Sequence, residues 1–145
     1  MDIKIKRLRP EAKLPTRGSA FAAGYDLYAD LDSDATIKPH TTEKISAGIA
    51  LEIPEGYFGG IYARSGLATK ENLRPANCVG VIDADYRGPV TVAVHNDSDE
   101  TRIIQPGERI AQLVIQPFLS VSFLETDELS ETVRGEGGFG STGKA

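Results

Sequence analysis

The chain has 145 residues, of which 40% are hydrophobic and 26% charged, with a formal net charge of −5. These values are typical of one ordinary globular domain and exclude a disordered chain. No apolar run is long enough to span a bilayer, and the acidic balance disfavours nucleic-acid binding, because that affinity comes from lysine and arginine neutralising phosphates. A small anionic ligand stays possible, since local geometry can hold phosphates whatever the total charge.

The cellular compartment is indicated by one cysteine and by the N-terminus. Cys78 is the only cysteine, and the first ten residues lack the apolar core of a signal peptide. A single thiol cannot form an internal disulfide. We therefore expect a reducing, cytoplasmic location.

Strands dominate the predicted secondary structure. Alternating and β-branched stretches predict strands from Ile3 to Leu8, Ile45 to Ile53, Val90 to Val94, Arg102 to Ile104 and Ile110 to Ile115. Turn signals separate them at Pro54 to Gly56, Asn96 to Asp99 and Gln105 to Gly107. Only the segment from Ser65 to about Asn72 favours a short helix, with Ser65 as its cap. The expected class is all-β, a jelly-roll-like sandwich or barrel.

Two segments in the first half of the chain place polar groups in small-residue surroundings. Ala22 to Leu27 is a bend that includes the carboxylate of Asp26, and it is either a plain turn or a site for a hydrated cation. Arg64, Ser65 and Gly66 put a guanidinium, a hydroxyl and an unhindered backbone N–H at the start of the predicted helix. That arrangement fits a phosphate-binding site, but it equally fits a helix cap beside a surface arginine.

Two further segments carry polar side chains within a predicted strand or after one. Asp83 and Asp85 come directly after Gly80 to Ile82 and share one face if the strand persists. A carboxylate there can deprotonate a water molecule for attack on phosphorus, or it can simply be the charged tip of a turn. Gln112 lies in an alternating segment and points either at a ligand or at solvent.

The C-terminus is rich in glycine. From Gly135 the sequence reads GEGGFGSTGKA and is almost free of apolar groups, so it cannot pack by itself. One interpretation is a disordered tail. The other is a flap that closes over a flat base and a phosphate chain, which would use Phe139, Ser141 and Thr142. We divide the chain into a β domain, residues 1–133, and a flexible arm, residues 134–145.

Taken together and in order, AGYDL, ARSGLA, GVIDADYRG, GERIAQLV and RGEGGFGSTG resemble the five sequence motifs of the trimeric dUTPase family. They extend from Ala23 to Gly143. The departures are Ala63, where relatives often have proline, and Ala84 and Glu108 at positions that vary. The resemblance implies a jelly-roll subunit in a homotrimer whose active sites are each built from three chains. It also implies hydrolysis of dUTP to dUMP and pyrophosphate.

The resemblance further implies roles for individual residues. Asp83 is the general base that directs water at the α-phosphorus, and Tyr86 packs beneath the deoxyribose. Uracil is bound by Asn77, Val81 and Ile82, and the phosphates by Arg64, Ser65, Gly66 and Gln112. In the arm, Phe139 stacks over uracil, and the other substrate-binding residues are Arg134, Gly140, Ser141, Thr142 and Gly143. Mg²⁺ is held chiefly by phosphates and water, with Asp26 as an outer-sphere contact.

Two alternatives belong to other functional classes. A dCTP deaminase shares the jelly roll and an Arg-Ser motif, but it typically lacks the Asp-x-Asp-Tyr run and the glycine-rich tail that this chain has. A non-catalytic nucleotide-binding regulator would bind without turnover and would carry a broken catalytic motif. Every expected catalytic position is intact here, which favours the hydrolase.

Overall fold

The computed structural model describes residues 1–139, and regular structure within them is almost entirely β. Eleven strands and one single-turn helix, Leu67–Glu71, make up the described part. The strands are β1 (Lys4–Arg7), β2 (Tyr25–Tyr28), β3 (Ala35–Ile37), β4 (Thr42–Ser46), β5 (Ile49–Glu52), β6 (Tyr57–Tyr62), β7 (Leu73–Pro75), β8 (Gly80–Ile82), β9 (Thr91–Asn96), β10 (Arg102–Ile104) and β11 (Arg109–Pro117). The predicted all-β class with one short helix is confirmed.

The strands form a jelly roll of antiparallel ladders. A four-stranded sheet has the order β2-β11-β6-β8, and a three-stranded sheet has the order β4-β9-β7. Two smaller ladders pair β1 with β5 and β3 with β10. Neighbours in a sheet are far apart in sequence, so the connections pass between sheets, as in a jelly roll. One continuous core contains buried side chains from all four sets of strands, including Leu27, Ile37, Ile49 and Val92.

The last residue of β9 is a completely buried polar side chain. Along β9, Val92, Val94 and Asn96 face the core, which follows the period of two expected of a strand. The Asn96 amide donates to the carbonyl of Glu100 at 2.7 Å, and its oxygen accepts from the N–H of Ser98 at 2.9 Å. The predicted turn after Asn96 is therefore confirmed, and it is fixed from inside the protein.

The predicted strand from Ile45 to Ile53 is wrong as a single element. β4 ends at Ser46 and β5 begins at Ile49, because Gly48 takes a left-handed backbone with φ of 67°. A Cβ at Gly48 would lie 2.6 Å from the carboxyl group of Asp30. The other four predicted strands and all three predicted turns are confirmed within a few residues.

The predicted helix is present, but its cap is not. The first helical hydrogen bond joins the N–H of Ala68 to the carbonyl of Arg64 at 3.0 Å, which places Ser65 inside the first turn. A capping residue needs non-helical backbone, so the predicted cap by Ser65 is wrong, and no side-chain cap bond is present at this helix. The helix is wound as a π-turn that ends at Glu71, and the N–H of the following residue, Asn72, donates to the carbonyl of Leu67.

Residues after β11 leave the core. From 118 to 139 the chain forms no strand or helix, and large apolar side chains such as Phe123 and Leu129 are exposed. The division between a β domain and an arm at residue 133 stays a prediction. Among the described residues, no helix combines the length and the apolar character needed to cross a membrane.

Candidate active site

The predicted site residues that precede the arm line two pockets. The first, called here the arginine pocket, is lined by Asp26, Arg64, Ser65, Gly66 and Gln112, together with Gly18, Ala22, Gly24 and Arg109. The second, the tyrosine pocket, is lined by Asn77, Val81, Ile82, Asp83 and Tyr86, among others. Residues that lie far apart in sequence are thus brought together in two groups.

Strand pairing explains how the arginine pocket forms. Gln112 on β11 lies opposite Asp26 of β2 on one side and opposite Tyr62 of β6 on the other. Arg64 follows two residues after Tyr62. Three adjacent strands of the four-stranded sheet, β2, β11 and β6, therefore deliver a carboxylate, an amide and a guanidinium to the same place.

Two guanidinium groups share the single carboxylate of Asp26. Arg64 Nε donates to Asp26 Oδ1 at 2.8 Å, and Arg109 Nη1 donates to Oδ2 at 3.3 Å. The Asp26 side chain is only 15% exposed and that of Arg64 is 25% exposed, so their contact is partly shielded from competing water, whereas the Arg109 side chain is 51% exposed. Two cations and one anion leave the pocket with one net positive charge, and charge-assisted hydrogen bonds of this kind suit a phosphate.

Gln112 is oriented within the same pocket. Its Nε2 donates to the carbonyl of Ala63 at 2.9 Å, and its Oε1 faces Gly24. A Cβ added at Gly24 would lie 2.2 Å from that oxygen, so only glycine allows this approach. Gln112 therefore points into the pocket and not into bulk solvent.

Ser65 and Gly66 lie at the exposed edge of the arginine pocket. A Cβ built on Gly66 would meet no heavy atom within 4 Å. The backbone of Gly66 is therefore open to a ligand that approaches from the solvent side.

The tyrosine pocket is built at the end of β8. Asp83 is exposed and follows the last residue of that strand, and the N–H of Tyr86 donates to the carbonyl of Asp83 at 3.1 Å. This turn ends the strand, so Asp83 and Asp85 do not share a strand face, and only Asp83 lines the pocket. Tyr86 is held by its hydroxyl, which donates to the carbonyl of Pro89 at 3.1 Å. A Cβ on Gly88 would lie 2.5 Å from that hydroxyl.

The strand β8, which lines the tyrosine pocket, lies at the edge of its sheet. It pairs only with β6 in the four-stranded sheet, through Gly80, Val81 and Ile82. The other edge of β8 is not paired with another described strand. An unpaired edge offers backbone donors and acceptors to a partner, which here can be a planar ligand.

Within one chain the two pockets are separate. Among residues 1–139 they have no lining residue in common. The structure therefore brings Asp83 together with Asn77 and Tyr86, but it does not bring Asp83 to Arg64 of the same chain.

The described part of the arm contacts neither pocket. Arg134 Nε donates to the carbonyl of Gly137 at 2.8 Å, and Phe139 is fully exposed with φ of 49°. Gly140, Ser141, Thr142 and Gly143 lie outside the described residues, so their predicted roles remain predictions.

The acidic groups of the described residues do not form a metal cage. No group of three or more histidine, cysteine, aspartate or glutamate side chains among residues 1–139 is arranged to hold an ion. Both oxygens of Asp26 face arginines. This donor set is compatible only with a cation that takes most of its ligands from phosphates and water.

Arg109 is a site residue that the sequence analysis did not single out. Strict alternation along β11 would put Arg109 and Gln112 on opposite faces of the sheet. The pairing of β11 with β2 shifts register between Arg109 and Ala111, and this irregularity brings both side chains to the arginine pocket. The only available signal was that Arg109 stands in the same motif as Gln112.

Known proteins resemble this chain over its whole length. The dUTPase family model matches residues 10–143. The chain is 48% identical over 141 residues to the deoxyuridine 5'-triphosphate nucleotidohydrolase of Syntrophotalea carbinolica, covering 97% of this chain and 96% of that protein. It is 48% identical over 143 residues to the protein of the same name from Hydrogenobaculum sp., covering 99% of each. The solved structure of the Staphylococcus bacteriophage 80alpha dUTPase with dUPNHPP has a TM-score of 0.85 and 30% identity over 99% of both chains.

Proposed function

The chain belongs to the dUTPase family, and on that basis we propose that it hydrolyses dUTP to dUMP and pyrophosphate. One structural observation supports this proposal above the others. Asp83 follows an unpaired strand edge in a pocket that also contains Asn77 and Tyr86. A carboxylate, a base-reading edge and an aromatic ring are the groups that hydrolysis of a nucleotide requires.

The unpaired edge of β8 supports recognition of uracil. The base presents an acceptor, a donor and an acceptor in a row, which a strand edge can match with its own backbone groups. Backbone from Val81 and Ile82 and the amide of Asn77 supply these partners. Cytosine presents the opposite pattern at two positions, and thymine adds a methyl group, so both are disfavoured.

The arginine pocket supports binding of the phosphates. Arg64 and Arg109 are already oriented by Asp26, and Gln112 by Ala63. Ser65 and Gly66 add a hydroxyl and an open backbone at the mouth. Groups that are held in place before the ligand arrives contribute more in the transition state, because they need no reorganisation.

Catalysis then needs one water molecule. Asp83 accepts a proton from the water molecule as the water oxygen attacks the α-phosphorus. The bond between that phosphorus and the oxygen that bridges it to the β-phosphorus breaks. Pyrophosphate leaves with the bridging oxygen, and dUMP retains the new one. This in-line displacement forms no covalent intermediate with the protein.

The separation of the two pockets supports a homotrimer with shared sites. A substrate that contacts both Asp83 and Arg64 has to lie between chains if a single chain does not bring them together. The exposed apolar side chains of residues 118–133 favour burial against another subunit. Ten extended residues span about 33 Å, so the arm is long enough to bring Arg134 and Phe139 to a neighbouring site.

We assign the divalent cation as Mg²⁺. Asp26 would contact the water molecules that surround the ion, and the bound ion would neutralise phosphate charge. A cytoplasmic location, expected from the lone cysteine, remains part of this proposal.

The direct test is release of pyrophosphate from dUTP, UTP, dCTP and dTTP, with and without Mg²⁺, alongside an assay for ammonia. We expect turnover of dUTP alone, with no ammonia from dCTP. Ammonia release would support a deaminase, and binding without turnover would support a regulator.

Asp83→Asn tests the role of the general base. It should keep nucleotide binding but lose about 10²- to 10⁴-fold in kcat, the usual contribution of such a group. Asp85→Asn is the matched control, because Asp85 stands two residues away and does not line the pocket. Full activity of Asp83→Asn would remove Asp83 from this role.

A further inference from the structure

The loop between β7 and β8 carries Asn77 into the tyrosine pocket. Its residues Ala76 to Val79 are exposed, and Cys78 adopts a left-handed backbone with φ of 61°. Such a conformation is unfavourable for a residue other than glycine and persists only where surrounding contacts hold it. The N–H of Ala76 donates to the carbonyl of Ala93 at 2.7 Å, which anchors the beginning of the loop to β9, and the N–H of Cys78 donates to the carbonyl of Pro75 at 3.1 Å within the turn.

Arg74 supplies contacts to the rest of the loop. Leu73 and Pro75 on either side are buried, so the Arg74 side chain lies on the outer face of β7. Its Nη1 lies 3.3 Å from the carbonyl oxygen of Pro75, 3.4 Å from that of Ala76 and 3.7 Å from Cys78 Sγ. One nitrogen thus contacts residues on both sides of Asn77.

Asp97 holds the guanidinium in this position. Arg74 Nε donates to Asp97 Oδ2 at 2.6 Å, and Nη2 donates to Oδ1 at 3.0 Å, a bidentate pair with fixed geometry. The hydrogen bond from Arg74 lowers the pKa of Asp97, and the same bond raises the pKa of Arg74. Asp97 is itself anchored, because its N–H donates to the carbonyl of Asn72 at 2.9 Å and it directly follows the buried Asn96.

We propose that Arg74, clamped by Asp97, is a positioning residue that sets base selectivity by fixing the loop that carries Asn77. This inference rests on the proposed function, since it takes Asn77 to read the uracil edge. An asparagine amide has a donor at one end and an acceptor at the other, and it matches the uracil edge only if the loop presents it at the right distance and angle. Arg74 contacts the residues on both sides of Asn77 and so fixes the backbone position from which the amide reaches the base.

The test compares Arg74→Lys with Arg9→Lys. Lysine keeps the positive charge, but it cannot make the bidentate pair with Asp97 and contact the loop at the same time, as the Arg74 guanidinium does. Arg9 is a matched control because it also pairs with carboxylates, its side chain is similarly exposed (38% against 34%), and it lines neither pocket. For each variant, kcat and KM are measured with dUTP and dCTP.

For Arg74→Lys we expect kcat on dUTP to stay within about threefold, KM to rise about tenfold, and the dUTP to dCTP ratio of kcat/KM to fall about tenfold, because a loosened polar site discriminates less. Arg9→Lys should keep the ratio. A residue with only a structural role would lower the amount of folded enzyme without changing this ratio, so an unchanged ratio overturns the proposal.

A second measurement does not depend on turnover. The N–H groups of Ala76, Cys78 and Val79 are hydrogen-bonded, so their hydrogen–deuterium exchange reports on whether this loop stays closed. Exchange at these positions should be several times faster in Arg74→Lys than in wild type, and an unchanged rate contradicts the clamp. If wild type releases no pyrophosphate from dUTP, the proposed function fails while the exchange still tests the clamp. Should Arg74→Lys not fold, Asp97→Asn decides by the same two readouts.

Discussion

Gly24→Ala is the sharpest test of the arginine pocket. The new Cβ would lie 2.2 Å from Gln112 Oε1, 3.0 Å from its Cδ and 3.2 Å from its Cβ. The amide oxygen has to retreat by about 1.2 Å to reach ordinary van der Waals contact. Because that oxygen is the far end of a flexible side chain, we expect the amide to move and the backbone to stay.

The size of the effect follows from the contacts that the amide makes. Moving it breaks the 2.9 Å bond from Nε2 to the carbonyl of Ala63 and takes Gln112 away from the phosphates. A hydrogen bond to a charged group contributes about 1.5–3 kcal/mol, and each 1.4 kcal/mol corresponds to about a factor of ten. We therefore expect kcat/KM for dUTP to fall about 10- to 150-fold.

The assay is pyrophosphate release over a range of dUTP concentrations, with Gly18→Ala as control. Gly18 lines the same pocket, but a Cβ there would meet no heavy atom within 4 Å. Gly18→Ala should therefore stay within about threefold of wild type, because an open position imposes no steric change. Equal kcat/KM for Gly24→Ala and Gly18→Ala would refute the argument that Gln112 must approach Gly24.

Two further predictions concern the arm and the core. Deleting residues 135–145 should leave a folded trimer with poor catalysis, measured by sedimentation and pyrophosphate release, and normal hydrolysis by the truncated protein would rule out the flap. Asn96→Ala should lower the free energy of unfolding by about 1–3 kcal/mol, because it leaves the carbonyl of Ile37 buried without this donor and also removes the donor to the part-buried carbonyl of Glu100. Chemical denaturation measures this loss, with the exposed Asn77→Ala expected to change stability by no more than about 0.5 kcal/mol.

Much of the fold could be predicted because strand and turn signals are local. Alternation predicts β9 and β11, and Pro54 to Gly56 indicates a turn whatever lies beyond it. The division of the chain at Gly48 could not be predicted in this way, since its left-handed backbone is tied to the carboxyl group of Asp30 eighteen residues earlier. The strand β7 was missed because its Pro75 is unfavourable in a strand interior; β7 lies at the edge of its sheet, where proline is tolerated.

The site was predictable at the level of motifs but not of geometry. The segments around Asp26, Arg64 and Gln112 were each ambiguous alone, and strand pairing decides that all three meet. Arg109 was missed because the register shift in β11 breaks the alternation on which the prediction relied. A sequence also does not indicate that Asp83 and Arg64 belong to different pockets of one chain.

The arginine pocket also explains how an acidic chain can hold the phosphates of the proposed substrate. With a net charge of −5, the chain as a whole repels an anion, although charges farther than about 8 Å are largely screened at physiological salt. Binding has therefore to come from groups in direct contact with the phosphates. Asp26 lowers the charge of the pocket, but it also fixes both Arg64 and Arg109 before any ligand arrives. Because ordering two flexible side chains costs about 0.5–1.5 kcal/mol each on binding, a carboxylate that orders them in advance can favour phosphate binding despite its own negative charge.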